Sequence, residues 1–265
     1  MGTDKRERQK ANRQLKYQQQ AKEVSRRRLT KRVLIGAGAV VALLIFIVVL
    51  ALLVNRNSDD DATTPTTATA ATAPAAFAYG AGPCPPADGA PSPVKTFTEP
   101  PQQCIDPAKT YTATIATDHG DIVVTLAPAA APGTVNNFVT LARYGYYDDT
   151  TIFRSAQGID IIQGGGNAPS DQFGYTIPDE GSKWTYPPGK IAMANTGAPN
   201  SGGAQWFITT GPNAAKLEAQ GTYTVFGEVT SGLDVAQQIA ALAKSASDDT
   251  MKEKVVVEKI EITES

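Results

Sequence analysis

Reactive side chains are scarce in this chain. Among 265 residues there is one histidine, His119, and there are two cysteines, Cys84 and Cys104. Two cysteines without Cys-x-x-Cys spacing, far from the sole histidine, make no plausible zinc site. No Ser-x-x-Lys pattern, nucleophile elbow or paired metal motif accompanies His119. It stands in Asp118-His119-Gly120, where it reads as a surface turn residue. The run Gly164-Gly165-Gly166 lacks the Lys-Ser/Thr and the following helix of a nucleotide loop. No metal and no cofactor is implied.

Charge is missing altogether between Val33 and Val54, a stretch of 22 apolar and small residues, VLIGAGAVVALLIFIVVLALLV. At about 1.5 Å per helical residue it is long enough to cross a hydrocarbon core of roughly 30 Å. Residues 33–54 therefore read as a single transmembrane helix in contact with lipid. A cleaved signal peptide fits less well, because the run exceeds the usual h-region and ends in Asn55-Arg56-Asn57-Ser58-Asp59 without a small-x-small cleavage site. The preceding residues 1–32 hold twelve Lys/Arg against Asp4, Glu7 and Glu23, an excess hidden by the overall net charge of −2. Next to a membrane span such charge sets topology, placing residues 1–32 in the cytoplasm and the rest outside. Nucleic-acid binding, the other use of a basic run, is not the favoured reading.

Residues 55–107 are rich in Thr, Ala and Pro and too poor in apolar side chains to offset chain ordering, so a flexible extracytoplasmic linker is expected. Its distal part carries both cysteines. Outside a membrane, a structural disulfide between Cys84 and Cys104 can persist and would remove roughly 3 kcal/mol of unfolded-chain entropy.

Residues 108–265 have the length of one compact domain. Thr110 to Thr117 and Asp121 to Pro128 are β-branched runs joined by the Asp118-His119-Gly120 turn, a hairpin signal. Val135, Phe138, Val139 and Ala142 then recur at helical spacing, with Thr134 as the expected N-cap and an end near Gly145. A second helix is expected from Leu233 to Lys244, with Val235, Ile239 and Leu242 on one face, and a last strand from Lys254 to Thr263. These pieces suggest a mostly β fold, a closed antiparallel barrel capped by two helices.

The order of local words between Thr110 and Thr263 resembles the cyclophilin family of peptidyl-prolyl isomerases. The words are Asn137-Phe138-Val139-Thr140-Leu141, Phe153-Arg154 leading to Gln163-Gly164-Gly165, Met193-Ala194-Asn195 with Gln205-Trp206-Phe207-Ile208, and Val225-Phe226-Gly227-Glu228-Val229. The resemblance implies an eight-stranded cyclophilin-like barrel and cis/trans isomerisation of Xaa-Pro bonds in exported or cell-envelope polypeptides. A non-catalytic proline-peptide-binding module on the same groove is the alternative.

It also implies a site. Rotation about a peptide bond meets a barrier of about 18–20 kcal/mol because the nitrogen lone pair is delocalised. A donor that favours the twisted state lowers that barrier, and an always-protonated guanidinium suits the task. Arg154 is the expected donor, and Gln163 should either orient it or hydrogen-bond the substrate. Ile161, Phe207 and Leu217 should line the proline pocket, with Tyr223 near it. Ala194 and Asn195 should meet the residues before proline, with Gln205 beside them. A plain salt bridge between Arg154 and Asp160 is the alternative use of that arginine. The chain departs from the family at Phe153, where a histidine is usual, and at Lys216 and Tyr223.

Overall fold

The computed structural model describes residues 77–168, 171 and 173–265. The expected cytoplasmic segment 1–32, the transmembrane helix 33–54 and the first part of the linker lie outside the described residues. Among the described residues no helix is long and apolar enough to cross a membrane.

Strands of period-two burial build the domain. In β1 (Tyr111–Thr117), alternate residues Tyr111, Ala113 and Ile115 are fully buried, and β2 (Gly120–Leu126) buries Ile122, Val124 and Leu126 in the same way. Pairing of Thr117 with Gly120 leaves Asp118 and His119 as the tight turn expected there. The remaining strands are β3 (Thr150–Ala156), β4 (Ile161–Gly164), β5 (Lys190–Met193), β6 (Trp206–Thr209), β7 (Val225–Ser231), β8 (Ala243–Ser245) and β9 (Asp248–Glu264). They hydrogen-bond in the order β1-β2-β7-β5-β6-β4-β3-β9, and β9 returns to β1, closing an eight-stranded barrel. All its neighbouring pairs are antiparallel. β8 is a short hairpin arm on β9. Closure leaves the barrel without a free sheet edge.

Helix α1 (Pro132–Arg143) buries Val135, Phe138, Val139 and Leu141 against the barrel. Its N-cap is Ala131, not Thr134, because Pro132 already takes the first helical position. Thr134 lies inside the first turn. The Glu180 carboxylate takes over the capping task, accepting from the Gly133 and Thr134 amides at 3.0 and 2.6 Å and from the Thr134 hydroxyl at 2.7 Å. A negative group there satisfies amides that have no intrahelical acceptor and complements the helix dipole. Helix α2 spans Leu233–Ala240, shorter than expected, and buries Ala236 and Ile239. The next residues turn away because Ala243 to Ser245 pair with the start of β9. β9 itself is longer than the strand expected from Lys254 to Thr263, since its polar first half is held by that hairpin.

The distal part of the expected flexible linker is laid along the domain. Cys84 and Cys104 are joined, as expected. Between them, the Ala90 and Val94 amides donate to the Arg143 and Tyr144 carbonyls at 2.7 and 2.8 Å. Lys95 Nζ donates to the carbonyls of Gly145 and Tyr146 at 2.8 and 2.9 Å, a cation at the negative end of α1. After the disulfide, Ile105 is buried, and Asn136 Oδ1 accepts from the Cys104 amide at 2.6 Å. Composition predicts a free chain here because few apolar residues are present. The segment docks through a few specific contacts, two main-chain bonds, the Lys95 ammonium, the Asn136 amide and buried Ile105, which composition does not reveal.

Candidate functional site

One face of the barrel wall carries a second, smaller apolar cluster. In the ladder across β3, β4, β6 and β5, Ser155 pairs with Ile162, Ile162 with Ile208, and Ile208 with Ile191. The three isoleucines of this row point into the main core. The neighbouring row is Arg154, Gln163, Phe207 and Ala192, again paired strand to strand. Successive residues of a strand face opposite sides, so this second row stands on the outer face. There Phe207 and Ala192 pack with Ile161, Leu217, Tyr186 and Val225, while Ala194 and Tyr223 flank them. Sequence reasoning placed Ile161, Phe207, Leu217 and Tyr223 together, and the fold brings them together, with Ala194, expected toward the residues before proline, at their flank.

The apolar surface is shallow. Phe207 is 2% exposed and Ile161 3%. The Tyr223 ring stands edge-on to Phe207 at 5.3 Å between centroids, with its hydroxyl donating to Gln220 Oε1 at 2.9 Å. Tyr186 backs Phe207 at 6.4 Å and donates its hydroxyl to the Tyr223 carbonyl at 2.9 Å. Burial pushes the Tyr186 phenol up to about 12.

Next to this surface runs a chain of polar side chains. Arg154 Nη1 donates to Gln163 Oε1 at 3.0 Å, Gln163 Nε2 donates to Gln205 Oε1 at 2.9 Å, and Gln205 Nε2 donates to the Ala168 carbonyl at 3.3 Å. Each link orients the next, and of the two uses expected for Gln163 the contact with Arg154 is the one seen. The partner proposed for Arg154 from sequence is not the one it has. Asp160 adopts a positive φ of 44° in the turn before β4 and accepts from the Asn213 amide at 2.8 Å. Arg154 instead pairs with Asp249, which accepts from Nε at 3.1 Å and from Nη2 at 2.8 Å through one oxygen. The bond to Gln163 brings the engaged N–H groups to three of the guanidinium's five, leaving one on each terminal nitrogen. Asp249 arrives here because β9 bulges between Val255, opposite Ile152, and Thr250, opposite Arg154. Phe153, next to Arg154, is only partly buried.

Beyond Gln205 the surface opens into a cavity of about 480 Å³ bordered by Arg154, Asp171, Phe173, Tyr175 and Asn195. Asn195 holds the rim with its side chain, donating to the Thr222 carbonyl at 3.2 Å and accepting from the Gly197 amide at 3.0 Å. Those contacts commit its side-chain amide to loop structure. Gly165 turns the chain behind Gln163 at a φ of 91°, where a Cβ would overlap the Ala204 carbonyl. Asp249, Phe173 and Tyr175 were not found from sequence. Asp249 lies 95 residues from Arg154 in a polar hairpin, and nothing in that spacing marks it.

Residues 112–262 match the family model described as cyclophilin type peptidyl-prolyl cis-trans isomerase/CLD. Peptidyl-prolyl cis-trans isomerase B of Escherichia coli is 38% identical over 57% of this chain and 99% of its own length. Peptidyl-prolyl cis-trans isomerase B of Bacillus subtilis is 40% identical over 51% of this chain and 90% of its own. Among solved structures, a cyclophilin type peptidyl-prolyl cis-trans isomerase of Cryptosporidium parvum aligns with a TM-score of 0.51 at 26% identity, covering 58% of this chain and 98% of that one. The same protein in the presence of the dipeptide Ala-Pro aligns with a TM-score of 0.50, at 26% identity over 57% of this chain and 98% of that one.

Proposed function

The chain belongs to the family of cyclophilin-type peptidyl-prolyl cis-trans isomerases, and from that premise we propose that Arg154 is the catalytic donor for Xaa-Pro bonds of exported or cell-envelope polypeptides. The observation that carries this reading is the fixed guanidinium, held by Gln163 and Asp249 at the edge of the Phe207 surface. Phe207, Ile161 and Leu217 receive the proline ring, and Tyr223 bounds it. Ala194 and Asn195 meet the residues before proline. Twisting the bond returns the lone pair to the proline nitrogen and ends amide resonance. A guanidinium N–H that donates in that twisted geometry, and less well in either planar one, favours the transition state over both ground states. No covalent step and no cofactor enters.

The site's place in the cell follows from the N-terminal charge pattern. Residues 33–54 anchor the chain in a membrane, with 1–32 cytoplasmic and the barrel outside. The Cys84–Cys104 disulfide supports this, because such bonds persist in oxidising compartments.

The test is exchange NMR on an Ala-Pro peptide with the full-length chain at substoichiometric concentration. Accelerated exchange that falls about 10²- to 10³-fold in Arg154→Ala, with unchanged near-UV circular dichroism, is expected for loss of one preorganised donor. Peptide shifts without acceleration would replace the catalytic reading with that of a proline-peptide-binding module.

A further inference from the structure

The region matching the family begins at residue 112, yet the cavity beyond Gln205 is braced from outside it. Phe173 and Tyr175 form its aromatic wall. Phe173 also meets Phe97, from the disulfide-closed segment, at 6.1 Å between centroids. Phe97 packs in turn on Tyr144 at 5.4 Å and Tyr146 at 6.0 Å, and Tyr146 closes back on Phe173 at 5.2 Å. The main chain is placed as closely. Gly174 stands between the two wall residues, and a Cβ there would overlap the Phe97 carbonyl. Only glycine admits that approach. Phe97 is held in place by Lys95 and Val94 on the end of α1 and by the bond between Cys84 and Cys104.

We infer that Phe97 is a specificity-determining residue that acts through Phe173, setting the fit of the cavity for the side chain that precedes the Xaa-Pro pair. This rests on the reading of the groove as a proline-peptide site. The wall presents aromatic rings, and the exposed Asp171 stands at the rim. Its ligand class is therefore a peptide carrying a large aromatic or long basic side chain at that position. Such a chain stacks on the Phe173 wall, and a cation is further favoured by the carboxylate. Because Phe97 belongs to a loop closed by a disulfide, the selectivity is tied to the oxidised state of Cys84 and Cys104.

The experiment measures Kd by NMR titration of the full-length chain with acetyl-Ala-Ala-Pro-amide and its variants carrying Tyr or Lys in place of the first alanine. The wild type is expected to bind the Tyr and Lys peptides more tightly than the Ala peptide. Phe97→Ala should shrink that preference about three- to tenfold, Phe97→Leu should restore part of it, and Cys84→Ser combined with Cys104→Ser should reproduce the loss. Equal weakening of all three peptides would assign the segment a general structural role and overturn the inference. So would a wild type without preference, or a preference that Phe97→Ala leaves intact. Exchange NMR on the Ala peptide reports catalysis separately. Its failure would defeat the isomerase reading, while the binding preference would still decide the role of Phe97.

Discussion

At the scale of single residues, the arrangement around Arg154 sets two demands against each other. The Asp249 carboxylate holds the guanidinium plane, but in the donor role proposed for Arg154 its negative charge would also weaken the positive field met by a twisting amide. Holding the donor in place is the larger effect where a misplacement of about 1 Å costs on the order of 10²-fold in rate. Asp249→Ala is therefore expected to lower kcat/KM about three- to tenfold. Asp249→Asn, which keeps an acceptor and removes the charge, should stay within about twofold of wild type. Exchange NMR on both variants checks this, and an alanine variant as fast as wild type would leave Gln163 as the sufficient support. Arg154 and Gln163 were legible in the sequence because they sit in short words whose order is specific. Asp249 was not, since its pairing depends on how far β9 bulges, and local sequence does not encode which residue a bulge delivers.

Elements show the same division between local and distant causes. The β1–β2 hairpin was readable because turn chemistry and period-two alternation act within a few residues. The capping of α1 was misread because the carboxylate comes from Glu180, 46 residues beyond Thr134, whereas a threonine near a helix start is a local signal. The early stop of α2 had no local cause either, since Ala241 and Leu242 favour helix and it is strand pairing that removes the next residues. The β1–β2 turn offers a test of its own. The hydrogen bond that the His119 ring donates to the Asp118 carboxylate raises the His119 pKa, Glu253 adds to the effect, and partial burial opposes it. A folded value above the unfolded one of roughly 6.5 means that protonated His119 stabilises the fold fully below that pH. The contribution is lost as pH rises through the folded value. Between pH 6 and pH 8, Tm of the wild type should fall on the order of 1 °C more than that of His119→Gln. Equal changes in the two proteins would show that the turn carries no such linkage.

Across the whole molecule, the barrel was legible and the extent of the domain was not. Alternation and family words located the barrel from about Thr110 onward, but the folded unit takes in residues from 77, because a few scattered contacts dock them: two main-chain bonds to the end of α1, the Lys95 ammonium, the Asn136 amide, the Phe97 ring and the disulfide. The disulfide then does more than fix a conformation. In a chain held at its N-terminal end and pulled from beyond β9, tension would run from Cys84 straight across the sulfur bridge to Cys104 and into β1. The intervening segment would form an unloaded side branch, so Phe97 and the wall behind the cavity would stay slack while the chain is stretched. Optical-trap extension of the full-length chain should register this as missing contour. The two cysteines are 20 positions apart, and at roughly 3.5 Å per residue the oxidised molecule should fall about 70 Å short of the reduced one at full extension. Equal lengths would mean that the bridge carries no load.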